Sequence, residues 1–260
     1  MITKKIINQS DEPVVEEVKL NPQFGEMIAA GLHFGSSISR INPKMKQYLT
    51  CVRNGVHIID VEKTAEKLQE ALTQIQKLIS EKKVILLVGT SVQAKELVKN
   101  TAIECGLPYI NSRWLGGTIS NFEVIKKRIQ HFKDLEEKKK TGELDKYTKN
   151  EKAKFDKELT ILGNRFSGIR NLSKLPDAVI VVNTKTNHLA VKEARPKNIK
   201  IFAIVDTDSD PSVIDYPIPA NDDAISSIKY ILDKIKEVIL NTKPIEKEVL
   251  ATENQEEKKA

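Results

Sequence analysis

RWLGGTISNFEVIKKRIQHFKDL, residues 113–135, decides how the chain is organised. From Phe122 the apolar positions fall at Phe122, Ile125, Ile129, Phe132 and Leu135, and they resume at Phe155, Leu159, Leu162, Phe166, Ile169 and Leu172. Steps alternating between three and four place all of these on one helical stripe, the pattern of a seam between two helices. Between the runs, KKKTGELDKYTKNEK (138–152) supplies Gly142 and enough polar residues for a reversal. The spacing predicts an antiparallel coiled-coil hairpin over 119–173, an arm with a thin core of its own. Over 119–175 there are 15 Lys/Arg against 9 Asp/Glu, an excess of 6, and the whole chain also carries +6. The arm therefore holds the entire surplus, and a polyanion would find it there.

On either side of the arm lie VILLV (84–88), AVIVV (178–182) and IFAIV (201–205). Strands that are apolar on both faces belong to a parallel sheet covered on two sides, and helical periodicity fills the intervals. Val61–Ser80 carries Val61, Ala65, Leu68, Leu72, Ile75 and Ile79 on one face. Further helices are expected over 92–104, around 190–195 and over 222–240, with short strands at 56–59, 107–110 and near Ile218. The reading is an α/β fold, a three-layer domain with a mainly parallel sheet, its body formed by 21–118 and 174–242. Residues 1–20 are expected to be a flexible leader, and 243–260 a disordered tail with little to bury. Asn21 is expected to cap a short helix with Pro22 at its first position. Residues 31–49 read as an irregular basic loop fastened by Phe34, Ile38, Ile41 and Met45.

A 260-residue chain with 40% apolar content supports a sizeable core. Cys51 and Cys105 have no metal-ligand spacing and form no disulfide framework. The opening MITKKIINQSDEP lacks the apolar stretch of a signal peptide, and no run reaches the roughly 20 apolar residues of a membrane span. These features point to a cytoplasmic protein with no membrane partner.

The search for chemistry returns little. VGTSVQA follows a strand and opens a helix, but it has neither dinucleotide glycine spacing nor Gly-Lys-Ser/Thr. Asp206, Asp208 and Asp210 cluster beyond a strand, where carboxylates hold a cation or simply cap a turn. His33, His57, His131 and His188 are scattered, and no nucleophile is paired with a base. The expectation is no catalytic residue, no metal and no cofactor. Basic positions say more: Arg40, Lys44, Lys46 and Arg53 in the N-terminal loop, Arg113 beside the arm, and Lys126, Lys127 and Arg128 on its first helix. Such side chains neutralise phosphates and fix position without reading sequence. Lys138–Lys140, next to Glu136 and Glu137, fit a solvated face as well as a nucleic-acid contact. Trp114, Gly116, Gly117 and Phe122 are expected to pack the arm base against the body, the two glycines allowing close backbone approach. The Trp114 indole either locks that base or stacks at an interface.

The blocks GLHFG…NPKMKQYL, RNGVHIIDVEKT, CGLPYINSRWLGGTISNF, LPDAVIVVNT and AIVDTDSDP, running in order from about residue 24 to 240, resemble the bacterial ribosomal protein S-two family of the small subunit. The resemblance implies a flavodoxin-like domain with a protruding coiled-coil arm, a structural rather than enzymatic role in translation, and partners in small-subunit rRNA and neighbouring ribosomal proteins. In many bacteria it also implies a share in anchoring the large mRNA-binding ribosomal protein S-one. Where family members commonly read G-H-x-x-R-R-W-N-P, this chain has Ser36, Ser39 and Ile41 in place of the histidine, one arginine and the tryptophan. Ser91-Val92 stands where a basic pair is usual, and Asn183 replaces an aspartate.

Overall fold

The computed structural model describes residues 22–242, so the expected leader, the Asn21 cap and the expected tail lie outside the described residues. Helix α1 (Pro22–Ala29) leads into a small antiparallel sheet of β1 (Phe34–Ser37), β2 (Leu49–Arg53) and β3 (Val56–Ile59), in the order β1-β3-β2. Then come α2 (Val61–Ser80), β4 (Ile85–Val88), α3 (Lys95–Cys105) and β5 (Tyr109–Ile110). Two long helices follow, α4 (Phe122–Lys140) and α5 (Lys149–Phe166), and then β6 (Ala178–Val181), α6 (His188–Ala194), β7 (Lys200–Val205), β8 (Tyr216–Pro219) and α7 (Ile225–Asn241).

Among the described residues, β4 to β8 form a five-stranded parallel sheet in the order β5-β4-β6-β7-β8. Counted from β4 this is 2-1-3-4-5, the flavodoxin-like arrangement, whose ligand crevice lies where the strand order reverses. Alternate residues on each strand serve opposite faces. Ile85, Leu87, Ile180, Phe202 and Ile204 pack with α2, α3 and α7. Leu86, Val88, Val179, Val181, Ala203 and Val205 pack with α6 and, in the same cluster, with Phe122, Ile125, Ile129, Phe166, Ile169 and Leu172.

That second cluster corrects the expectation of one body core and a separate arm core. The body has a core on each face of its sheet, and the seam of α4 and α5 continues one of them outward. On that face Trp114, Ile119, Ile169 and Leu172 join the residues of α6 in the same cluster. The two helices run in opposite directions: Lys139 Nζ donates to Asp156 Oδ1 at 2.7 Å, and the Phe132 ring lies beside Gly163. Just beyond α5, Gly168 passes so close to the Tyr109 carbonyl that a Cβ there would sit 2.2 Å from the oxygen.

The basic loop is also more ordered than its composition suggests. β1 and β2 both pair with β3, around the Asn54-Gly55 turn, whose φ values are 51° and 78°. A 3₁₀ helix, Pro43–Tyr48, joins β1 to β2 and is capped by the Asn42 side chain. Met45 is fully buried and Ile41 half-buried, but Phe34 and Ile38 are about half exposed and do not fasten the loop. Helix boundaries shift for local reasons. α3 starts late because residues 91–94 form a turn in which Ala94 and Lys95 N–H both donate to the Ser91 carbonyl. α7 starts late because Asn221 Oδ1 accepts from Asp223 and Ala224 N–H.

Candidate nucleic-acid interface

The predicted basic residues fall into two groups. Arg40, Lys44, Lys46 and Arg53 ride on the small sheet and its 3₁₀ connection, and all are exposed. Arg113, Lys126, Lys127 and Arg128 are exposed on the arm base and the first turns of α4. Met45 and Trp114, which lie among the two groups, belong to one apolar cluster.

The first group is held by the acidic loop after β7. Asn42 N–H donates to the Thr207 carbonyl at 2.8 Å, and Ser36 N–H donates to Thr207 Oγ1 at 2.9 Å. Ser36 Oγ donates to Asp206 Oδ2. Lys44 Nζ reaches Asp210 Oδ2 at 2.8 Å and Ser212 Oγ at 2.7 Å. Led by the Lys44 hydrogen bond, these contacts hold the Asp210 carboxyl down at about 2. Lys44 is therefore a neutralised staple, unlike the other seven predicted contacts, which have no ion-pair partner among the described residues. The three aspartates share the work of turn and staple. Asp210 also caps the short 3₁₀ helix Pro211–Val213, and Asp208 pairs with Lys185 at 2.7 Å. No group of three metal-ligating side chains is assembled among the described residues.

Burial dominates at the neighbouring carboxyl ends of β7 and β8. It pushes Asp206 up despite the donors from Ser36 and Thr207. It pushes Asp222 up to about 8, helped by repulsion from Asp206, Asp223 and Asp208. Asp222 Oδ2 has no hydrogen-bond partner among the described residues, so the group is best satisfied as a neutral acid. His57 is buried with neither ring nitrogen paired among the described residues, and burial lowers the His33 imidazole. The Thr90 hydroxyl is used internally, donating to Asn187 Oδ1 at 2.8 Å and tying the β4 turn to the start of α6. Gln93 is half-buried in that turn.

The second group is organised by Glu193 of α6, which sequence reading missed. One carboxylate oxygen accepts from Trp114 Nε1 at 3.1 Å and Gly117 N–H at 2.9 Å. The other accepts from Ile119 N–H at 3.0 Å, Ser120 N–H at 3.1 Å and Ser120 Oγ at 3.3 Å. Burial alone would raise this carboxyl, but the Ser120, Ile119 and Gly117 amides and the Trp114 indole outweigh it and hold the group below its usual range. Trp114 is 6% exposed, and Phe122 is buried in the same cluster. Gly117 has φ +92°, a conformation that favours glycine, whereas nothing lies within 4 Å of a Cβ built on Gly116. The expected close approach at Gly116 is thus absent. The signal that could have found Glu193 is its place in VKEAR, one acidic residue between basic neighbours on a helix that buries Ala190, Val191 and Ala194.

A family model described as Ribosomal protein S2 matches residues 27–242. Among curated proteins, the chain is 47% identical over 216 residues to the small ribosomal subunit protein uS2 of Fusobacterium nucleatum, covering 83% of this chain and 87% of that one. It is 46% identical over 220 residues to the protein of the same name from Dictyoglomus thermophilum, covering 85% and 89% respectively.

Proposed function

The chain belongs to the ribosomal protein S2 family, and on that premise we propose how its surfaces are used. It is a structural constituent of the small ribosomal subunit in the bacterial cytoplasm, associated there with rRNA and other ribosomal proteins, and members of this family are not enzymes. Our finer reading is that Arg40, Lys46, Arg53, Arg113, Lys126, Lys127 and Arg128 neutralise rRNA phosphates, while Lys44 braces the loop that presents the first three. The observation that carries it is the shared mounting of both basic groups on one apolar cluster. One packed cluster then roots separated exposed cations, whose phosphate contacts add and read no sequence. The large mRNA-binding ribosomal protein S-one is proposed as a neighbour on the strength of the family alone.

The test is a ribosome-density gradient with the protein tagged. The native chain is expected to co-migrate with small subunits. Replacing Arg40, Lys46, Arg53 and Arg113 together by alanine is expected to move most of it to the top of the gradient, with its thermal transition unchanged. Full occupancy by the quadruple variant would refute the assignment of these residues, though not the family.

A further inference from the structure

A cavity of about 750 Å³ opens between α6 and the loop after β7, on the side of that loop whose Asp210 is stapled by Lys44. Along α6 and its 3₁₀ extension, His188, Lys192 and Arg195 recur at intervals of four and three, which places them on one side of the helix and along the cavity wall. Lys192 and Arg195 are exposed and have no ion-pair partner among the described residues. Val191, Pro196 and Val213 supply apolar lining. Thr184 also lines the cavity; it is 7% exposed, and its hydroxyl is buried with no hydrogen-bond partner among the described residues. Asp208 and Asp210 add carboxylate acceptors, each already balanced by a lysine.

A ligand matching this set has a flat apolar surface, a negative charge near the mouth, and polar edges for a hydroxyl and carboxylates. We propose that the cavity seats one unpaired nucleotide of RNA, its base against Val191, Pro196 and Val213 and its phosphate between Lys192 and Arg195. This rests on the RNA-binding reading above. RNA-binding proteins commonly read splayed-out bases in this way, stacking and hydrogen-bonding them in a pocket that a duplex cannot enter. An acidic peptide could pair with Lys192 and Arg195, but it brings no flat ring for the wall of Val191, Pro196 and Val213.

The probe is a short single-stranded oligoribonucleotide carrying 4-thiouridine, bound to the whole chain and cross-linked by near-ultraviolet light. Cross-links are expected within 184–196 or 208–213. In solution, Val213→Trp should fill the cavity and weaken the oligonucleotide about tenfold with little change in salt dependence. Lys192→Ala with Arg195→Ala should weaken it and also lower the salt slope by about one to two. Cross-links confined to residues 34–53, with the wild-type protein still binding structured RNA, would overturn the cavity assignment and leave the general reading standing. Equal binding of a matched duplex would overturn it as well, as would full competition by a nucleoside monophosphate, which would make the occupant a free nucleotide. Failure of the wild-type protein to bind any RNA would remove the premise itself. Because the cross-link map uses the unaltered protein, the proposal stays testable even where Val213→Trp fails to fold.

Discussion

The two ends of the helix pair formed by α4 and α5 are built from similar sequence and held in opposite ways. At the base, Phe122, Ile125, Ile129, Phe166 and Ile169 share a cluster with the parallel sheet, and Glu193 gathers the preceding loop. At the tip, Leu144 is buried locally and the Tyr147 and Phe155 rings meet edge to face at 5.2 Å. Thr148 N–H donates to Glu151 Oε2 at 3.0 Å and starts α5, and Lys139 and Asp156, each more than half exposed, form an ion pair. Burial of apolar surface decides stability by kilocalories per side chain, whereas exposed ion pairs contribute a few tenths. The base therefore rests on buried apolar side chains and a half-buried carboxylate clasp, and the tip mainly on exposed polar contacts.

The sharpest way to break this comparison is deletion. Removing 120–172 behind a short linker takes Phe122, Ile125, Phe166, Ile169 and Leu172 out of the cluster that also holds Leu86, Val179 and Val181. The expected outcome is loss of the cooperative thermal transition, since burying each of these side chains is worth about 1.5–3 kcal/mol against a margin of about 5–15 kcal/mol for a whole domain. Deleting only 138–152 between Glu137 and Ala153 should leave that transition in place. A stable body after the longer deletion would show that the base is as dispensable as the tip.

Within the base, Phe166→Ala should cost about 3–5 kcal/mol in chemical denaturation, because Phe166 is 1% exposed in the shared cluster. Glu193→Ala comes next. It strands the Gly117, Ile119 and Trp114 N–H donors, at a cost of about 2–3 kcal/mol. This contribution depends on pH in a fixed direction. The folded-state carboxyl lies below its usual value, so the stabilisation is complete above the ordinary glutamate pKa of about 4.3 and is lost as pH falls through the folded value. The difference in melting temperature between wild type and Glu193→Gln should accordingly narrow below about pH 4. A constant gap from pH 7 to pH 3 would mean that the charge on Glu193 does not hold the loop.

Why sequence reading reached some of this and missed the rest follows from where each force leaves a trace. The parallel strands are legible because burial on both faces makes VILLV, AVIVV and IFAIV continuous apolar runs, and the helix seams are legible by their period. β1 is not, because FGSS has no alternation and gains its order from hydrogen bonds to β3. The seam residues were found, but periodicity cannot say what a seam packs against, so its continuity with the sheet was invisible. Of the candidate interface, the basic residues could be read directly. The Lys44–Asp210 staple and the Glu193 clasp join residues 166 and about 75 positions apart, and no local pattern encodes such pairings.

The smallest effect is expected at the tip. Lys139→Ala removes the 2.7 Å contact to Asp156, but side chains 57% and 56% exposed compete with water and salt for that partner. Stability should change by less than about 0.5 kcal/mol. Lys138–Lys140 also occupy the last turn of α4, where cations favour the negative end of the helix dipole. Their presence is thus accounted for without RNA. Replacing all three by alanine should leave the salt slope of RNA binding unchanged, while the same treatment of Lys126, Lys127 and Arg128 near the base should lower it by about two to three. Equal slopes for the two triples would erase the difference between base and tip as RNA surfaces, even with their difference in stability intact.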